Sequence, residues 1–171
     1  MRMTIDGIIL TALFIYSLFM LTGAHAEQAP RFNLPGEDTT VSLEQYKGQV
    51  IFLDFWASWC SPCEKSFSWM NTMQSRYGDE GFKVVAINLD TSREKAQEFL
   101  ESNPALFDIA YEPKRKTAND YKLSAMPNSF LINKNGEVIY SHKGFDRRSE
   151  IILEDRIRQL IGYSQVASNQ L

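Results

Sequence analysis

Residues 50–63 read VIFLDFWASWCSPC. Val50–Phe55 is a compact apolar run with a single acid, Asp54, inside it. A run this short and apolar predicts a strand buried on both faces, as at the centre of a parallel or mixed sheet. The run leads into Cys60-Ser61-Pro62-Cys63. Ser61–Tyr77 then predicts a helix, because Phe67, Met70, Met73 and Tyr77 recur at spacings of three and four, and Gly78 stops it. Both thiols thus fall where a buried strand hands over to a helix. Unpaired N–H groups and the positive end of the helix dipole favour thiolate over thiol there, and the thiolate is the reactive form. Pro62 suits a first helical turn, where its missing N–H costs nothing. Two cysteines at this spacing can close a small disulfide ring. The plain alternative is a passive staple, but so short a loop removes little entropy from the unfolded chain.

The sequence on either side supplies the rest of a sheet. Residues 27–40 carry Pro30, Pro35 and Gly36 and read as an extended leader. Ser42 to Gln45 has capping-box spacing and starts one helical turn that ends at Gly48. Phe82–Leu89 predicts a second buried strand. Thr91 and Glu94 form a capping box for a helix carrying Ala96, Phe99 and Leu100, which ends before Asn103-Pro104. Phe107–Tyr111 predicts a short strand, and Lys114–Tyr121 a short helix opened by Pro113. Ser129–Asn133 and Glu137–His142 predict a hairpin turned at Asn135-Gly136. Residues 147–162 predict a last helix with Ile152, Ile157, Leu160 and Ile161 on its buried face. The order β-α-β-α-β-α-β-β-α predicts an α/β fold with a central mixed sheet and helices on both faces.

The 171-residue chain has room for one domain. Its 44% hydrophobic content, with eleven Phe, seven Tyr and three Trp, excludes disorder over the whole chain. A net charge of −3 gives no basic surface for nucleic acid, so no nucleic-acid partner is expected. With only two cysteines, a multi-bridge disulfide scaffold is excluded. A structural zinc site wants four Cys or His ligands, and only His142 could join the two thiols outside the first 26 residues. Neither a metal nor a cofactor is expected.

Residues 1–26 predict a signal peptide: Arg2 precedes the apolar run 8–22 and Ala24-His25-Ala26 forms an A-x-A exit. The alternative is an uncleaved anchor over residues 8–23, which falls short of the roughly 18–20 apolar residues that span a bilayer. Export would place the mature chain, residues 27–171 with its one domain over 27–163, in an oxidising, periplasmic compartment where a cysteine pair can rest as a disulfide. Residues 164–171 predict a polar, flexible tail.

The stretch from Phe52 to Cys63 resembles a thioredoxin-fold active site. Ala29–Pro35, Val41–Leu43, and Ser129–Ile132 with Gly136 are similar to the TlpA/ResA-like branch of exported thiol-disulfide oxidoreductases. The resemblance covers about residues 29–162 and implies roles at particular positions. Cys60, the outer thiol, would attack a substrate disulfide, and Cys63 would resolve the mixed disulfide. A carboxylate in an apolar strand is costly to ionise. The resemblance gives Asp54 the part of a general base toward Cys63, although many TlpA-like proteins carry Asn there. Pro127 matches a cis-proline that faces the disulfide, with the Met126 backbone offered to substrate and Trp59 as a platform beside the thiol. Trp56 is expected in the core. Ser68 stands where relatives often have a helix-kinking Pro, and Lys114-Arg115-Lys116 reads as a solvated face.

The implied partners are proteins carrying disulfides or dithiols and a membrane-embedded thiol electron donor. Ser61-Pro62 resembles the Gly-Pro of reducing thioredoxins more than the Pro-His of strong oxidants, which favours a disulfide reductase. Alternatives are a cytochrome c maturation thioredoxin reducing apocytochrome cysteines, or a disulfide-forming oxidant. The intact cysteine pair argues against a redox-inert binding module. The Gly-Val-x-Gly-like insert of dedicated maturation proteins has no match in Tyr121–Pro127.

Overall fold

In the computed structural model, residues 26–163 are described. The expected signal segment up to residue 25, the anchor alternative over 8–23 and the tail 164–171 lie outside the described residues. The elements are β1 Glu27–Gln28, β2 Asn33–Pro35, β3 Thr40–Ser42, β4 Val50–Trp56, α1 Ser61–Tyr77, β5 Phe82–Asn88, α2 Arg93–Ser102, β6 Asp108–Tyr111, α3 Lys116–Asp120, β7 Asn128–Ile132, β8 Glu137–Lys143 and α4 Arg147–Ile161. A six-stranded sheet runs in the order β1-β8-β7-β4-β5-β6. β4, β5 and β6 are parallel, and β7 is antiparallel to both β4 and β8.

All seven residues of β4 are buried. The pleat sends alternate side chains to opposite faces. Val50, Phe52 and Trp56 join one core with Cys63, Phe67, Met70 and Met73 of α1, Ala96 of α2, and Leu153 and Ile157 of α4. Ile51, Leu53 and Phe55 join the other with Ala29, Phe32, Val41, Tyr46 and Ala118. The mixed sheet is as expected, but its two layers are unequal. Three helices cover one face, and the leader with short α3 covers the other. The leader is extended, as the prolines require, but it is not a free lead-in. Residues 27–28 pair with β8, and β2 and β3 form a hairpin of their own.

Two local expectations are corrected. α2 is capped at Ser92 rather than Thr91; the Ser92 hydroxyl donates to Glu94 at 2.6 Å. α3 begins at Lys116, not at Lys114 behind Pro113. The buried Glu112 carboxylate accepts from the Thr117 N–H at 2.7 Å and from its hydroxyl at 2.8 Å, and so fixes the first turn. Between β7 and β8 the Asn133 side-chain oxygen accepts from the N–H groups of Asn135 and Glu137. Gly136 takes a positive φ of 80°, which glycine adopts without steric cost.

An aromatic cluster locks α1 to the sheet. Phe67 sits edge-on to Trp56, Phe99 and Phe107, with ring centroids 4.8, 5.1 and 5.3 Å away. Trp69 packs on Phe52 and Phe145 and is core. Replacing Phe67 by Ala would leave a cavity between helix and strand. Denaturant unfolding should show a loss of about 3–5 kcal/mol; a loss below ~1 kcal/mol would contradict this packing role.

Candidate active site

The carboxyl end of β4 carries the chemistry. After Trp56 the chain turns through Ala57–Cys60, closed by the Cys60 N–H donating to the Ala57 carbonyl at 3.0 Å. Cys60 is the N-cap of α1. Cys63 lies in the first turn, its N–H donating to the Cys60 carbonyl at 2.9 Å. The two sulfurs form a disulfide with S–S 2.05 Å and Cα–Cα 5.4 Å. The pair is unequal: Cys60 keeps 4% of its surface exposed and Cys63 none. Trp59, between turn and cap, is 62% exposed. Trp56 is in the core, as expected.

Asp54 stands on the same face of β4 as Phe52 and Trp56, the face that α1 covers. It is 2% exposed, and its Oδ2 has no hydrogen-bond partner. Burial holds its pKa well above the ordinary carboxylate range, and a backbone hydrogen bond from Phe55 offsets this only in part. Ser66, also buried, donates its hydroxyl to the Cys63 carbonyl at 2.8 Å.

The Met126-Pro127 peptide is cis. Phe55 pairs with Asn128, so Pro127 lies beside Trp56 at the same edge of the sheet as the cysteine loop. Met126 is half-buried and packs against both cores. Topology thus brings Asp54, Trp59, Cys60, Cys63, Met126 and Pro127 to one edge. His142 pairs with Ser129 in β8 and stacks on Tyr140. Ser68 sits on the exposed side of α1, which runs unbroken to Tyr77.

Sequence reasoning missed a clamp behind the cysteine loop. The Asp90 carboxylate accepts from the Ser58 N–H at 2.8 Å and its hydroxyl at 3.0 Å. It also accepts from the Asn88 side-chain amide at 2.8 Å, and the Asp90 N–H donates back to Asn88 at 3.1 Å. Asn88 and Asp90 are buried. The loop after β5 thereby fixes the turn that presents Trp59 and Cys60. The available signal was Asn88-Leu89-Asp90 at the end of a strand parallel to β4, since parallel neighbours end on the same edge.

Comparison with known proteins agrees with this geometry. Residues 26–141 match the model of the AhpC/TSA family. The chain is 31% identical over 140 residues to a thiol-disulfide oxidoreductase ResA of Bacillus cereus, covering 81% of this chain and 76% of that one. It is 33% identical over 119 residues to ResA of Bacillus subtilis, covering 68% and 65%. Among solved structures, a Chlorobium tepidum protein assigned as the thiol:disulfide interchange protein DsbE is 46% identical. It superposes with a TM-score of 0.79 over 80% of this chain and 97% of that one. StoA from Bacillus subtilis is 25% identical with a TM-score of 0.62, over 72% and 94%. With the cysteine pair capping its helix and the fold shared along most of its length, the chain belongs to the AhpC/TSA family of thioredoxin-like proteins and, within it, to the TlpA/ResA-like thiol-disulfide oxidoreductases.

Proposed function

We propose that the chain is an exported disulfide reductase, with Cys60 as nucleophile, Cys63 as resolving thiol and Asp54 as the acid–base group beneath them. The observation that carries this reading is the unequal burial of the pair. Cys60 keeps a little exposed surface that an incoming disulfide can reach, and Cys63 keeps none.

Reduction begins when the Cys60 thiolate attacks one sulfur of the substrate disulfide. That S–S bond breaks, and the second substrate sulfur leaves as a thiolate that takes a proton. The Cys63 thiolate then attacks Cys60, and the first substrate sulfur leaves in the same way. Two electrons have passed to the substrate, and the protein holds the Cys60–Cys63 disulfide. Asp54, ionised in the dithiol form, would take the Cys63 proton before resolution and hold it in the disulfide form. The α1 N-terminus stabilises the attacking thiolate. Return to the dithiol requires a thiol reductant, for which we assign a membrane-embedded donor, since an extracytoplasmic reductase needs its own supply. An extended stretch of substrate would pair with the Met126 backbone beside Pro127, with Trp59 covering the reacting sulfurs. No helix among the described residues is long and apolar enough to cross a membrane, and the apolar run at 8–22 would serve as the export signal.

Replacing Cys63 by Ala should trap substrate on Cys60 as mixed disulfides visible on non-reducing gels, whereas Cys60→Ala should trap none. Adducts in Cys60→Ala alone would reverse the two roles.

Asp54→Asn should slow resolution by roughly 10²-fold or more while leaving the first attack intact. It should also change how stability depends on pH. A carboxyl whose pKa is raised by folding stays protonated in the native state and ionises in the unfolded chain. Its linkage therefore destabilises the oxidised protein as pH rises above about 4. Denaturant unfolding between pH 4 and 8 should show a flatter profile for Asp54→Asn than for wild type. Parallel profiles would contradict a buried neutral acid.

A further inference from the structure

β4 and β5 run parallel with Trp56 opposite Asn88, so both strands end at the edge that carries the cysteines. The ladder continues one step further, where the Leu89 N–H donates to the Trp56 carbonyl at 2.9 Å. Beyond it the two chains part, one into Ala57–Cys60 and the other into Asp90 and Thr91. Asp90 is buried, and it takes part in none of the ion pairs among the described residues. A carboxylate buried without a cation is costly unless hydrogen bonds satisfy it, and three donors do so here. The Asn88 side-chain amide and the Ser58 N–H both donate to its Oδ2 at 2.8 Å, and the Ser58 hydroxyl donates to its Oδ1 at 3.0 Å. The support behind these bonds is itself fixed. The Asn88 side-chain oxygen accepts from the Asp90 N–H at 3.1 Å, and the Asn88 carbonyl accepts from the Glu112 N–H, just past β6, at 2.9 Å.

In the disulfide form Cys60 has a covalent tether to Cys63. Exchange passes through the dithiol and the mixed disulfide, in which that tether is absent. The turn before Cys60 then has to keep it at the cap of α1. Two sets of bonds close that turn: the Cys60 N–H to the Ala57 carbonyl at 3.0 Å, and Ser58 to Asp90. Position matters, because the unpaired helix N–H groups and the dipole favour a thiolate only near the cap and their effect fades within the first turn.

We infer that Asp90 is a positioning residue for thiol–disulfide exchange: acting through Ser58, it holds Cys60 at the cap of α1 while the protein is reduced. The inference rests on Cys60 as the nucleophile. Asp90 serves here as an acceptor rather than as a charge, and the two roles have opposite signs. A negative charge near the loop disfavours a thiolate on Cys60, whereas a held turn favours it. Asparagine separates them. Its side-chain oxygen can accept from the Ser58 N–H and the Asn88 amide in place of Oδ2, and its NH2 can donate to the Ser58 hydroxyl in place of Oδ1.

The test follows alkylation of the reduced protein by iodoacetamide across pH, with the modified cysteine identified by mass spectrometry. The other titratable groups around the loop are the same in every variant: Asp54 on β4, Cys63, Glu64 and Lys65 on α1, and Lys114 and Arg115 after β6. Asp90→Ala should alkylate Cys60 about tenfold more slowly at pH 6, with the midpoint moved up toward the ordinary thiol value of about 8.5. Asp90→Asn should restore the wild-type profile. Ser58→Ala, which removes the hydroxyl bond and keeps the N–H bond, should fall between wild type and Asp90→Ala. Equal alkylation of both cysteines marks a variant that has not folded, and Ser58→Ala then decides the question. A midpoint that falls in both Asp90 variants would make the carboxylate a charge and overturn the inference. So would Asp90→Ala and Ser58→Ala profiles that match wild type, because the turn would then hold itself. Alkylation of Cys63 in preference to Cys60 in the wild-type protein would overturn the Cys60 reading beneath it.

Discussion

The burial of β4 on both faces is the constraint from which the rest of the molecule follows. Each of its residues is enclosed, and its backbone pairs with β5 on one side and β7 on the other. Side chains alternate with period two, so a slip of one residue would move Leu53 or Phe55 to the α1 face and send Asp54 into the opposite core. The register is thereby fixed. It sets the acid under α1 and delivers the chain at the edge where Cys60 can cap the helix. The Ser58–Asp90 bonds then remove the remaining freedom of the turn.

The chemistry depends on the contrast between two nearby environments. At the rim, Cys60 caps α1 and keeps a sliver of its surface exposed. On the face of β4 shared with Phe52 and Trp56, the apolar packing that stabilises the strand raises the Asp54 pKa. An unpartnered buried carboxyl oxygen costs about 1–3 kcal/mol, a large share of the stability of a small domain. A purely structural strand would be more stable with an apolar residue at that position. The retained cost fits the proton-transfer role proposed for this carboxyl.

The parts legible in the sequence were those with a strong local signature. The apolar run around Asp54 announced β4, the spacing of Phe67, Met70, Met73 and Tyr77 announced α1, and the cysteine run marked their junction. The resemblance carried Pro127 to its place, and the Met126-Pro127 bond is cis. What escaped was fixed by contacts between distant segments. Asp90 lies 32 positions from Ser58, and nothing near Asn88-Leu89-Asp90 in the chain tells a strand end from a clamp. Two shorter-range details also differed: α2 has Ser92 at its N-cap position, where Thr91 was expected, and the Glu112 carboxylate, five residues before Thr117, sets the start of α3. The leader's pairing with β8 follows from the antiparallel return of the chain, which the local pattern of residues 27–40 does not encode.

The central claim is that this buried acid, capped helix and sealed second thiol make a donor of electrons rather than an acceptor. The reduction potential of the Cys60–Cys63 pair, equilibrated against glutathione and read by tryptophan fluorescence, tests it most directly. A value near or below about −230 mV, toward the thioredoxin end of the known range, is the result expected of a reductase. A value near about −120 mV is that of a strong oxidant, and it would mean that the same residues make disulfides instead of breaking them.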